Sequence, residues 1–338
     1  MGACYEPGKL PADVLAALLG RLDNAGQRIL LPPGIGTDAT AVAFGDRCLV
    51  AATDPITFAT DEIGWYAVVV NANDVACLGA EPRWFLATVL LPEHGSDEAL
   101  AGRIFDDMRA ACDHVGAALV GGHTEITCGL DRPIVSATML GECGRDELIV
   151  PGGIRPGDAI IATKGIAIEG TAVLARELGA RLAARVPGEA LERMARCLHE
   201  PGIDVVRDAR IARAAGGVHA LHDATEGGIA TALRELATAG RVGLEIDATA
   251  IRVLDETRQM CEALGADPLG LLASGCLLIA APEADAAGMV DALGDAGIDA
   301  TRIGRAVPES EGILLAGEDG VRRELPVFER DEVARLLA

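Results

Sequence analysis

Residues 61–82, DEIGWYAVVVNANDVACLGAEP, set three polar side chains inside an otherwise apolar stretch, and that combination narrows what the chain can build. Ile63, Ala67, Val70 and Cys77 recur at helical spacing, Asp61 and Glu62 favour a helix start, and Gly79 followed by Pro82 supplies a stop. The pattern predicts an amphipathic helix with a polar insert. Asn71 and Asp74 are three residues apart and so are neighbours on one face, with Asn73 beside them. Polar groups in such a place are hydrogen-bonded internally or belong to a site. A lone Asn–Asp pair favours the first reading, whereas three further acidic or Gly-rich stretches in the same chain favour the second.

At 338 residues the chain suits two domains, and half of its residues are apolar, enough for two cores. The Pro/Gly segment PGGIRPGD, 151–158, marks the expected boundary, giving domains 1–150 and 151–338. No run of 18 uncharged apolar residues occurs and the N-terminus lacks a basic-then-apolar leader pattern, so a soluble, cytoplasmic protein is expected. Nine cysteines without a C-x-x-C pair argue for reduced core thiols over a zinc site or a disulfide framework. A net charge of −22 speaks against nucleic acid or an anionic membrane as partner, because both select a basic face. A polyanion such as ATP can still bind if a divalent metal or backbone amides help. Only two lysines, Lys9 and Lys164, are present.

In chain order, a helix is expected at 12–22, then a Gly/Pro segment from Leu31, strands at 42–44 and 48–53, and Asp54 at the end of the second. The 61–82 helix is followed by a strand (84–91), a long helix (97–115), a short strand (117–120), GGHTE as a turn, and a strand (134–141). The second half opens with a strand (159–163) and the loop KGIAIEGT. Helices to 178, at 187–198 and at 204–214 follow, then strands at 218–221, 244–247, 276–281 and 301–303. The layout is α+β. Asp106 and Asp107, Arg207 to Arg213, and the C-terminal FERDEVARLL read as solvated helix faces. His94, His114, His199 and His219 lack metal-ligand spacing, and Cys77 reads as core.

Seven ordered motifs, GTDATAV (36–42), TDP (53–55), NANDVACLGAEP (71–82), GGHTE (121–125), PGD (156–158), DATEGG (223–228) and ASGCLL (273–278), resemble the superfamily of aminoimidazole ribonucleotide synthetase. That superfamily also includes selenophosphate synthetase, thiamine-monophosphate kinase and the hydrogenase-maturation dehydratase HypE, and the chain looks most like HypE-like, AIR synthase-related proteins. The resemblance implies a PurM-like two-domain fold: an N-terminal α+β domain whose sheet forms a barrel in a homodimer, and a C-terminal α/β domain. It implies ATP and Mg²⁺ as cofactors. Asp38, Asp54 and Asp74 match family acids that ligate magnesium on the nucleotide phosphates, and Asp223 of DATEGG matches a residue that can reach a metal. Magnesium takes hard oxygen ligands and offsets charge building up in phosphoryl transfer.

By the same matching, Gly36, Asn71, Asn73, Gly121, Gly122, Thr124, Lys164, Thr225, Gly227 and Gly228 are candidates for holding the nucleotide, with Gly227 and Gly228 letting a helix N-terminus face phosphate. Asp74, His123 and Glu125 are the candidate catalytic residues. Several positions depart from the family: Thr37 replaces one of two acids in the G-D-D-A-A motif, His123-Thr124-Glu125 replaces G-D-T of HypE, and Glu169 stands where related loops carry His or Ser. HypE also ends in a cysteine that receives a carbamoyl group, whereas this sequence ends FERDEVARLLA with its last cysteine at Cys276 and only Cys4 upstream of the Gly-rich segment. The expected activity is ATP- and Mg²⁺-dependent activation of an amide or phosphate oxygen of a small-molecule or protein substrate. The alternatives are a small-molecule kinase like thiamine-monophosphate kinase and a non-catalytic, nucleotide-binding maturation partner.

Overall fold

The computed structural model describes Tyr5, Lys9–Leu22 and Arg28–Leu337; Cys4 and Ala338 lie outside the described residues. The chain divides into two compact units. One holds residues 28–32 and Asp38–Leu148; the other holds Lys9–Leu22, Pro33–Thr37 and everything from Ile149 onward.

The first element, α1 (Ala12–Leu19), belongs to the C-terminal unit, and the next eight build the N-terminal one. These are β1 (Ile29–Leu31), β2 (Ala39–Phe44), β3 (Arg47–Ile56), α2 (Ile63–Cys77), β4 (Glu81–Pro92), α3 (Glu98–Val115), β5 (Ala118–Thr127) and β6 (Ile134–Gly144). The six strands form one sheet in the order β1-β2-β3-β6-β4-β5, antiparallel throughout except for the β4–β5 pair. Strand β6 buries every second residue, Val135, Ala137, Met139, Gly141 and Cys143, which is the alternation of a sheet with one covered face.

Helix α2 supplies that cover. The sequence predicts it as amphipathic, yet every residue except Trp65 is buried, because α2 lies on β3, β4 and β6 while α3 closes over its far side. Two glycines permit this. A Cβ at Gly141 would collide with the Val75 side chain of α2, and one at Gly64 would fall on the backbone of α3 at Ile104. Helix α3 is the amphipathic one, with Ile104, Met108, Ala111, Cys112 and Val115 turned inward. Burying such an aliphatic side chain contributes roughly 1.5–3 kcal/mol. Its N-cap Asp97 accepts a hydrogen bond from the Leu100 N–H at 2.8 Å, and Gly116 at φ 81° ends it.

GGHTE is not a turn. Gly121 to Glu125 run inside β5, paired in parallel with β4 from Leu86 to Leu90, and every residue of the motif is exposed. Gly122, at φ 152°, sits where a Cβ would meet the Ala87 carbonyl, so its side-chain-free backbone serves close strand pairing.

The C-terminal unit continues with β7 (Asp158–Thr163), α4 (Ile168–Glu177), α5 (Gly179–Leu182), α6 (Gly188–Arg196), α7 (Val206–Ala215), β8 (Ala220–Asp223), α8 (Gly228–Gly240), β9 (Val242–Asp247), α9 (Asp255–Leu264), β10 (Leu277–Pro282), α10 (Glu283–Asp295), β11 (Ala300–Pro308), β12 (Ile313–Ala316), β13 (Arg322–Glu324) and α11 (Glu332–Leu337). Its seven strands are ordered β13-β12-β9-β11-β7-β10-β8, with only β12–β9 parallel. Strand β7 is buried along its whole length, as its apolar run requires of an inner strand. Among the described residues no helix is long and apolar enough to cross a membrane.

Candidate active site

In the N-terminal unit, Asn71 does the work of a missing strand. Strand β2 stops at Ala39, opposite Ala52, so β3 runs on past it to Asp54. The Asn71 side chain accepts from the Asp54 N–H at 2.9 Å and donates to the Asp54 carbonyl at 3.4 Å, while also donating to Ala67 of its own helix at 2.8 Å. An amide is suited to this because it carries both donor and acceptor. The backbone of Asp54 is thereby tied to α2, and the residue is half-buried. Asn73 is wholly buried and Asp74 is 2 % exposed, one turn beyond Asn71 on the same side of α2. Asp38, exposed, stands immediately before β2, whose first residue pairs two positions ahead of Asp54.

These groups are all oxygen donors, the hard ligand type that Mg²⁺ takes. Among the described residues no three His, Cys, Asp or Glu side chains form a preassembled metal cage. Magnesium seldom needs one, since it keeps water and phosphate oxygens and takes one or two carboxylates from the protein. The donor chemistry therefore fits the ion.

On β5, His123, Glu125 and Thr127 share one face of the strand. The His123 Nε2 lies 3.2 Å from Glu125, and the Thr127 hydroxyl donates to Glu125 at 2.9 Å. Those contacts, Thr127 first, hold the Glu125 carboxyl below the usual range.

The DATEGG motif of the C-terminal unit is organised differently. Asp223 ends β8 at 2 % exposure, the Thr225 carbonyl accepts from Gly228 and Ala273, and Gly227 and Gly228 take φ of 80° and 67° before α8. The Gly227 N–H, which the sequence offers to phosphate, already donates to the Asp331 carboxylate at 2.7 Å. Asp331 also accepts from Val333 at 2.7 Å, and α11 buries Glu332, Val333 and Ala334. FERDEVARLL is therefore not a solvated face but a packed strap, with the Phe328 ring over Gly270 and Arg234 donating to the Leu325 carbonyl. Burial raises Asp331 to about 6, against the pull of the Gly227, Val333 and Leu272 amides.

Lys164 is likewise engaged. Its ammonium is buried, donates to the Asp204 carbonyl and lies 3.4 Å from Asp208, so its charge is directed inward rather than to a phosphate. Asp208 sits on the inner side of the helix whose arginines read as a solvated face, and burial raises its pKa while Lys164 opposes the rise. Glu169, 5 % exposed, is pushed up to about 8 by burial; the nearby Ser274 hydroxyl pulls it down, and Asp331, Glu226 and Asp223 add to the rise. The sequence marks Glu169 and Ser274 through their motifs. It carries no local sign of Asp331, whose partner Gly227 is 104 positions away.

Residues 36–143 match the family model of the AIR synthase related protein N-terminal domain, and residues 155–316 match that of the C-terminal domain. The chain belongs to the AIR synthase-related family. It is 32 % identical over 297 residues to the carbamoyl dehydratase HypE of Rhodobacter capsulatus, covering 84 % of each chain. It superposes on the crystal structure of Escherichia coli HypE with a TM-score of 0.72 at 27 % identity, covering 86 % of this chain and 88 % of that one. A crystal structure of hydrogenase maturation protein HypE in complex with ATP matches with a TM-score of 0.68 at 26 % identity, covering 98 % of both chains. All seven motifs of this AIR synthase-related chain fall within residues 36–316.

Proposed function

We propose that the protein is an ATP- and Mg²⁺-dependent enzyme that transfers a phosphoryl group to an amide or phosphate oxygen of a small-molecule or protein substrate. The observation that carries this reading is the Asn71 clamp, which fixes Asp54 to the helix bearing Asp74. Preorganised groups of this kind cost no reorganisation when charge develops. Family membership and the ATP complex of a HypE at 26 % identity support the nucleotide. Asp38, Asp54 and Asp74 would hold the Mg²⁺, which when bound offsets the negative charge of the phosphate oxygens.

The protein's own residues do the rest. Asn71 orients Asp54; Gly36, Gly121, Gly122, Asn73 and Thr124 let backbone or side chain approach the nucleotide; His123, held by Glu125, is a base able to take a proton from an attacking hydroxyl or amide. Asp223 and Thr225 are the C-terminal candidates. Lys164 and the Gly227 amide are left out because intramolecular partners engage them. A homodimer is the expected assembly, since β5 presents an exposed edge carrying Val120 and Ile126.

The test is incubation with Mg-ATP and a panel of amides and phosphate esters, following ADP, AMP and phosphate transfer. Turnover with one class, lost in Asp54→Ala, is expected. Tight Mg-ATP binding without turnover on any member of the panel would favour a non-catalytic, nucleotide-binding partner.

A further inference from the structure

We propose that Cys48 and Cys143 are a redox-sensitive pair that closes to a disulfide stapling β3 to β6 and reopens under reduction. The two residues are register partners on adjacent antiparallel strands, and their side chains share the covered face of the sheet. Among the described residues no other strand pairing sets two cysteines opposite each other. Directly opposed residues hold their Cα atoms about 4.5–5.5 Å apart, inside the roughly 4.4–6.8 Å that a disulfide spans. Their Cβ atoms stand about 4.5–5.5 Å apart, at or beyond the long end of the roughly 3.5–4.5 Å found in bridges. Closure therefore stores strain, and strained bridges are the readily reduced, regulatory kind.

Both thiols are buried, Cys48 at 0 % and Cys143 at 2 % exposure, so access has to come from opening of the strand ends. Their position provides it. Cys48 is the second residue of β3 and Cys143 the next to last of β6, beside the Gly45–Asp46 turn. Outside the ladder this end is clipped by contacts at the surface: Arg47 and Arg83 meet half-buried Glu142 at 3.1 and 3.7 Å, and Arg145 donates to the Gly45 carbonyl at 2.9 Å. Such surface contacts are weak and the ion pairs are screened by salt. Ends held this way open far more often than the whole domain unfolds.

The oxidant is a small-molecule disulfide such as oxidised glutathione. The thiolate of one cysteine attacks it, forming a mixed disulfide and releasing one small thiol. The second thiolate then attacks the protein sulfur of that mixed disulfide, the Cys48–Cys143 bond forms, and the second small thiol leaves. Two protein S–H groups are lost and two small thiols gained, so the exchange balances.

The test uses the full chain incubated with oxidised glutathione, alkylated under denaturing conditions and mapped by mass spectrometry. The expected result is a peptide linking Cys48 to Cys143, faster formation at high salt, and recovery of both thiols with dithiothreitol. Cys48→Ser and the size-matched Cys48→Val should each lose the link, leaving Cys143 either alkylated or held as a mixed disulfide with glutathione. Exposed Cys128 serves as the internal control, becoming a mixed disulfide whatever the pair does. If Cys128 reacts while Cys48 and Cys143 stay alkylated, or if either bonds to a different cysteine, the proposal is overturned; the wild-type map decides even where a variant fails to fold.

Discussion

The polar insert of α2 and the DATEGG turn before α8 both put acidic and amide groups where apolar surroundings would seem to exclude them, and the two are solved in opposite ways. On α2 the amide of Asn71 satisfies the backbone of half-buried Asp54, while Asp38 is exposed. At DATEGG the chain satisfies itself: Asp331 takes the Gly227 amide, Lys164 is paired with Asp208, and Glu169 is buried among acids that favour its neutral form. In the proposed site the first arrangement fixes the backbone that carries an acid, whereas the second engages its polar groups with one another. Polar residues in a family motif thus do not all serve the ligand.

The two regions should respond differently to mutation. The largest effect falls on activity. Asp54→Ala or Asp38→Ala should cut ATP turnover by about 10²-fold or more, the scale of losing one preorganised charge-stabilising group, with little change in unfolding midpoint. Equal turnover in wild type and mutants would end the assignment of these acids.

Lys164→Met should do the reverse. It leaves Asp208 buried without its counter-charge, a loss of roughly 3 kcal/mol or more in stability, while the KM for ATP in the surviving folded fraction stays put. A raised KM with an unchanged denaturation midpoint would return Lys164 to the nucleotide.

Glu169 ties stability to pH. Burial raises its folded pKa to about 8 from the ordinary 4.5, so between these the folded protein binds more protons than the unfolded chain. Stability then falls as pH climbs from the lower value and levels off above the higher one. Glu169→Gln removes that dependence, and denaturant unfolding across this window should give a flatter line that lies above wild type at its alkaline end. Identical slopes would mean that Glu169 is ionised when folded.

Smallest is Asp331→Ala, which removes two hydrogen bonds to a carboxylate and should cost roughly 1.5–3 kcal/mol. Faster amide exchange at 227–230, with β10 unchanged, is the local readout. Protection equal to wild type would show that the strap does not hold the turn.

Local chemistry made much of this molecule readable. Apolar spacing predicts a helix over the 61–82 stretch, observed at 63–77, and strand alternation locates β3, β4 and β6. The family motifs, in order, identify the two-domain fold. Reading failed where a distant partner overrides a local cue. Gly121 and Gly122 look like a turn until β4 pairs with them, and α2 looks amphipathic until α3 covers its outer side. Helix α10 escapes the pattern because small residues blur its apolar stripe, while α9, whose buried Thr257, Met260 and Cys261 share one face, is simply not among the elements expected from the sequence.

Residue type and spacing are local properties, so the sequence alone marks the candidates for the proposed site: the acids at 38, 54 and 74, the amides between them, and the glycines that bend backbone. Which candidates are engaged by distant partners is settled by the tertiary fold. The Gly227 amide is claimed by Asp331 and the Lys164 ammonium by Asp208 through contacts spanning 104 and 44 positions, and a buried charge or amide takes the partner that folding brings nearest.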